Sequence, residues 1–90
     1  MKAQIYNFSS WIEETEPTKI KTKYDKLLKD AGFGILNFQE HFFNPFGYSA
    51  LWLLSESHFA VHTFPEHNQS YIELSSCVKL QFDKFLQLKD

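Results

Sequence analysis

Ninety residues with a formal net charge of −2 and no basic cluster argue against a nucleic-acid binder, whose affinity rests on neutralising phosphates. No apolar run approaches the roughly 20 residues that a bilayer-crossing helix needs, and Gln4, Asn7, Ser9 and Ser10 interrupt any signal-like stretch at the start. The single cysteine, Cys77, cannot form an internal disulfide, which fits a reducing cytoplasm.

A chain of this size makes one domain, residues 1–90, and buries only about 60% of the surface its unfolded form exposes. Ten Phe, four Tyr and two Trp are many for it. They either fill this core or provide flat apolar surface that meets another subunit. The lysines between Lys19 and Lys29 are interleaved with Asp25 and Asp30, the pattern of a solvated helix face.

In chain order, residues 3 to 8 alternate weakly through Ala3 and Ile5 and read as a first strand. Trp11 and Ile12 lead into an acidic connector, Glu13 to Glu16. Pro17 suits the first turn of a helix, where its missing N–H costs nothing. Ile20, Tyr24, Leu27, Leu28 and Ala31 then form one helical stripe, closed by Gly32. Ile35 to Phe43 predicts a strand, Asn44-Pro45-Phe46-Gly47 a turn, and Tyr48 to Leu54 a central strand covered on both faces. After a break at Ser55 to Ser57, strands follow over residues 58–64 and 71–77. Val78, Phe82, Phe85 and Leu86 give a last helix, with Ser75 or Ser76 as its cap. The order βαββββα, or βαβββα if Ser55 to Ser57 is a bulge, implies an α+β layer: one mainly antiparallel sheet with both helices on one face.

The chemistry-bearing residues concentrate between Ser55 and Cys77. On a strand, His58, Ala60, His62 and Phe64 share one face, and Tyr71, Glu73, Ser75 and Cys77 point together on the next, so that if the two strands pair His62 and Cys77 can lie on the same side of the sheet, the register being open. His58, His62, His67, Glu66 and Cys77 are all metal-ligand types. Strand geometry opposes a metal site, because positions four apart lie about 13 Å from each other. A hydrolase built on Ser57 and His62 lacks the glycine-rich elbow such a nucleophile needs.

A third chemistry is self-processing. The Ser57 hydroxyl follows the Glu56 carbonyl directly and can attack it, shifting the backbone from amide to ester. Loss of the Ser57 α-proton then eliminates the Glu56 carboxylate, and the dehydroalanine left behind hydrolyses to a pyruvoyl group. Such a ketone is an electron sink, able to form a Schiff base with an amino acid and release carbon dioxide.

Glu56-Ser57-His58, His62-Thr63-Phe64-Pro65-Glu66, and Cys77 twenty residues after Ser57 resemble, in identity and spacing, the proenzymes of the prokaryotic S-adenosylmethionine decarboxylase family. The resemblance runs from about residue 32 to 77. It implies cleavage between Glu56 and Ser57, a pyruvoyl cofactor made from Ser57, help in processing from His62, and protonation of the product carbon by Cys77. Ser49, after Pro45-Phe46-Gly47, falls where a family serine assists the acyl shift. Phe64 stands in place of a tryptophan lining the substrate pocket, and Glu66 in place of a carboxylate contacting the ribose or the neighbouring site. The implied activity is decarboxylation of S-adenosylmethionine to the aminopropyl donor for spermidine synthesis, by a cytoplasmic homodimer with sites near or across its interface and no metal. The second reading is an unprocessed relative that binds a nucleoside, an amino acid or a partner subunit.

Two departures carry expectations of their own. Val78 stands where the family has Gly, and Ser75-Ser76 where it has an apolar residue and Thr, which predicts a different turn after the thiol. The sequence stops at Asp90 where the family continues with a further strand, so a sheet edge or part of a dimer interface is expected to lie bare.

Overall fold

The computed structural model describes residues 3–90. Strand β1 (Tyr6–Ile12) precedes helix α1 (Pro17–Asp30), four strands follow as β2 (Ile35–Phe42), β3 (Tyr48–Leu54), β4 (Ser57–Phe64) and β5 (Gln69–Ser76), and helix α2 (Lys79–Leu88) ends the series. The strands form one sheet in the order β1-β5-β4-β3-β2, antiparallel at every pairing, with β1 and β2 at its edges. This is the α+β layer expected from the sequence, in its five-strand form.

Helix α1 begins where Pro17 allows it. Glu16 precedes it in an extended conformation, and its carboxylate accepts the backbone N–H groups of Thr18 and Lys19, two donors that otherwise have no partner. The helix ends at Gly32, whose φ of 96° lets Gly32 N–H reach the Lys29 carbonyl and Phe33 N–H the Leu28 carbonyl. Ile20, Tyr24, Leu27 and Leu28 face the sheet. They meet Trp52 and Leu54 of β3, Phe59 and Val61 of β4, and Ile72 and Leu74 of β5, with Phe82 and Phe85 of α2 completing the core. The Phe59 ring lies 4.9 Å from Tyr24, 5.5 Å from Trp52 and 5.6 Å from Phe85.

Three expectations are corrected. The first strand occupies Tyr6–Ile12 rather than residues 3–8, because Tyr6, Phe8 and Ile12 pack on the core while Ile5 stays exposed. A one-residue change of register exchanges the two faces, and this one turns Tyr6 and Phe8 toward the core while Trp11 stays exposed on the other side. Strand β3 is covered on one face, not two: Leu51 and Leu53 are 44% and 49% exposed on the side without helices. Helix α2 is preceded by Val78, which makes no side-chain capping bond; Ser76 Oγ instead accepts the Val78 N–H.

Polar ties fix α1 to the sheet. The buried Trp52 indole N–H donates to Asp25 of α1, and Lys21 of α1 pairs with Glu40 of β2, which within the sheet also accepts the Tyr48 hydroxyl at 2.6 Å. The Lys29 ammonium, then the Trp52 bond, holds the Asp25 carboxyl below its ordinary range, and the Tyr48 bond does the same for Glu40. A carboxyl that binds protons more weakly folded than unfolded stabilises fully above about pH 4. That contribution is lost as pH falls through the folded values. The urea midpoint should therefore drop on acidification from pH 7 to pH 3, and Asp25→Asn should shrink that drop. Phe59→Ala, which empties the centre of the aromatic cluster, should cost about 3–5 kcal/mol in the same assay.

Candidate functional site

The β3–β4 hairpin closes on two residues, Ser55 and Glu56, with Leu54 paired to Ser57. Glu56 has φ 58°, the left-handed region that a residue with a Cβ enters at a cost of about 1–2 kcal/mol. The turn is pinned from outside by Ser55 N–H, which donates to the Gly34 carbonyl at 2.9 Å. Gly34 permits this approach because a Cβ there would stand 2.9 Å from Ser55 Oγ, closer than carbon and oxygen tolerate.

Ser57 opens β4, opposite Ser76 of β5, and its hydroxyl donates to Ser76 Oγ at 2.6 Å. Cys77 follows directly and is exposed. Its backbone N–H lies 3.3 Å and its Sγ 3.0 Å from the Glu56 carbonyl oxygen, so that one carbonyl receives two donors from one residue. Val78, where the resemblance implied a glycine, has φ −109°, a conformation open to any residue, and the thiol reaches the hairpin without strain. Glu56, Ser57 and Ser76, with His58, Ser75 and Leu53, border a hollow of about 350 Å³.

A second group lies elsewhere. Ser49 and His62 are cross-strand partners on the face without helices, with Ser49 Oγ 2.7 Å from His62 Nδ1. His41 of β2 is paired to Ser49 and borders the same hollow of about 410 Å³, together with Gln39, Leu51 and Ala60. His41 was absent from the residues singled out in the sequence; the β2–β3 register that puts it beside Ser49 follows from the short turn between those strands. Phe64 lies further along the same face, its ring 5.8 Å from Trp11, and Glu66 sits beyond it in the exposed 3-10 turn Pro65–His67.

The candidate residues therefore fall into two clusters. Glu56, Ser57 and Cys77 meet at the hairpin tip. Ser49, His62, Phe64 and Glu66 gather toward the other end of β4. Five residues of strand separate Ser57 from His62, about 16 Å at roughly 3.3 Å per residue, and the odd spacing puts their side chains on opposite faces. His62 is paired with Tyr71, six residues before Cys77, so the imidazole and the thiol are about 20 Å apart rather than neighbours. Among the described residues no three His, Cys, Asp or Glu side chains converge as a metal site would require.

A sheet with one bare face, whose reactive side chains stand at a hairpin tip and on that bare face, is an architecture with known counterparts. A sequence model of S-adenosylmethionine decarboxylase matches residues 5–89, and the chain belongs to that family. It is 36% identical over 58 residues to an S-adenosylmethionine decarboxylase proenzyme of Prochlorococcus marinus, a stretch covering 64% of this chain and 46% of the relative. It is 43% identical over 47 residues to S-adenosylmethionine decarboxylase proenzyme 2 of Bacillus cereus, covering 52% of this chain and 38% of the relative. The matched stretch thus spans less than half the length of these relatives. The crystal structure of the adenosylmethionine decarboxylase from Aquifex aeolicus has the same fold, with a TM-score of 0.72 at 18% identity over 97% of this chain and 81% of that one.

The left-handed turn residue yields a direct check. In a Ser57→Ala background, Glu56→Gly should raise the stability by about 1 kcal/mol in urea denaturation, since Gly occupies that conformation freely. A decrease would mean that the turn is not under this constraint.

Proposed function

We propose that the chain is the precursor of a pyruvoyl-dependent decarboxylase of S-adenosylmethionine, which cuts its own backbone between Glu56 and Ser57 and supplies the aminopropyl donor for spermidine synthesis. The observation that carries this reading is the Glu56 carbonyl. It precedes a serine hydroxyl, belongs to a residue held in the left-handed region, and accepts both the N–H and the thiol of Cys77.

Each feature favours the first step. Donors aimed at the carbonyl oxygen stabilise the negative charge that grows there as Ser57 Oγ adds to the carbon. Collapse breaks the bond from Glu56 carbon to Ser57 nitrogen, and the hydroxyl proton passes to that nitrogen, leaving an ester. Removal of the Ser57 α-proton forms the Cα–Cβ double bond and expels the Glu56 carboxylate, now the end of residues 1–56. Water replaces the nitrogen, released as ammonia, and leaves a pyruvoyl group heading residues 57–90. That group supplies the carbonyl that takes up the electron pair left when carbon dioxide departs from the substrate. Cys77 Sγ holds the proton returned to the product carbon.

Ser49 and His62 assist the processing steps, Phe64 lines the substrate pocket and Glu66 contacts the ribose. These four lie too far from Ser57 to act within one chain, so we place them in the site of a second copy. The homodimer is supported by the bare sheet face, where Leu51, Leu53, Trp11 and Phe64 expose apolar surface around Ser49 and His62. A cytoplasmic location suits the exposed thiol, which must stay reduced to carry a proton.

Intact mass should find two fragments divided between Glu56 and Ser57, and Ser57→Ala should leave one full-length mass. Full-length protein alone in fresh and aged wild type would remove the cofactor and leave the reading as an unprocessed ligand-binding relative. Cys77→Ala keeps the backbone donor, so it should slow splitting without abolishing it and impair turnover. Mixing Ser57→Ala chains with His62→Ala chains should restore splitting of the latter, because each mixed dimer unites an intact Ser57 with an intact His62. Mixed dimers that fail to split would overturn the shared site.

A further inference from the structure

We propose that Ser76 is a further residue of the self-cleavage, accepting a hydrogen bond from the Ser57 nucleophile in the acyl shift and donating one to the same oxygen when it leaves. This rests on the processing proposed above and adds to it a group to which neither the sequence motifs nor the family spacing gave a part in the chemistry.

Ser76 is 1% exposed and directly opposite Ser57 in the β4–β5 ladder. Its Oγ receives the Ser57 hydroxyl at 2.6 Å and the Val78 N–H at 3.0 Å, while its own proton points at the Val78 carbonyl across a long 3.4 Å. Two good donors fix the oxygen in space, and the weak third contact leaves its proton free to swing. The short bond to this fixed, buried oxygen favours one orientation of the Ser57 hydroxyl over the others it could sample. That is the positioning an intramolecular attack needs.

After the acyl shift the same oxygen is different chemically. Ser57 Oγ has become the ester oxygen, its proton having gone to the Ser57 nitrogen, and it can only accept. The Ser76 hydroxyl, released from its 3.4 Å contact with Val78, turns to donate to it. In the elimination the Cα–H electron pair forms the Cα–Cβ double bond and the Cβ–Oγ bond breaks, with Oγ departing as part of the Glu56 carboxylate. A donor on the departing oxygen stabilises that charge. One hydroxyl thus serves both steps without itself gaining or losing a proton.

The test compares Ser76→Thr with Ser76→Val, which have the same shape and differ by the hydroxyl. Freshly made proenzymes are followed by intact mass, with melting temperatures measured alongside. The Thr variant should split near the wild-type rate and the Val variant about tenfold to a hundredfold more slowly, the range expected for losing a hydrogen bond to a reacting atom. The Val variant should also accumulate the ester, which hydroxylamine cleaves at neutral pH to give a Glu56 hydroxamate and a Ser57 amino terminus. A Val variant that splits as fast as the Thr variant, or one that slows without ester, overturns the respective half of the proposal. If Val fails to fold, Ser76→Ala is read against wild type by the same trap. Wild type in parallel separates the two readings: if it does not split at all, the processing itself fails, and this inference with it.

Discussion

The odd spacing between Ser57 and His62 governs how this molecule can work. A strand turns successive side chains to opposite faces, so positions five apart lie on different sides of the sheet and about 16 Å from each other. No rotamer change bridges that distance. Ser57 faces toward the helix-covered layer at the hairpin tip, whereas His62 stands with Ser49 on the bare face. Under the proposed processing, the one-chain fold is therefore coherent as a scaffold but needs a second copy to act as a catalyst.

What the sheet covers and leaves bare follows the same alternation. Trp52, Phe59, Val61 and Leu74, all fully buried, anchor the helices on one side. On the other, Leu51, Leu53, Trp11 and Phe64 surround a row of polar groups, His41, Ser49, His62 and Tyr71, linked through successive cross-strand pairs. Apolar surface of this kind tends to find a partner. A second sheet laid on it would both bury the leucines and deliver the Ser49–His62 pair to another chain's hairpin tip.

Much of this was legible in the residues. Pro17, the stripe from Ile20 to Ala31 and Gly32 marked α1 because each acts through its own backbone chemistry. The tight grouping of Glu56, Ser57 and Cys77 was carried by family spacing, and the structure brings those three together. Features that depend on pairing were not accessible. Ala3 and Ile5 alternate as well as Tyr6 and Phe8 do, and only packing against Phe82 and Phe85 chooses between them. Leu51 and Leu53 made β3 look buried on both faces, since apolar residues on an exposed sheet face read like core. The facing of Ser57 on Ser76 needed the β4–β5 register, which no local signal fixes. The separation of His62 from Ser57, by contrast, was already implied by period two and was obscured by treating nearness in sequence as nearness in space.

The magnitudes suggest why assembly should precede cleavage. The left-handed conformation of Glu56 raises the ground state by about 1–2 kcal/mol, and each hydrogen bond to the carbonyl adds a contribution of similar size. At about 1.4 kcal/mol per tenfold, such terms accelerate amide attack by a few orders of magnitude. That is small beside what an amide bond requires, so under the proposed processing these terms alone would leave the precursor uncut. General acid–base help, worth typically 10²–10⁴-fold, is what the Ser49–His62 pair would add under the proposed homodimer, where it would arrive only with the second copy. A backbone that broke before its partner was present would leave two short fragments held by ladder contacts alone. In that proposal, dividing the chemistry between two faces would delay the cut until the interface that stabilises the products has formed.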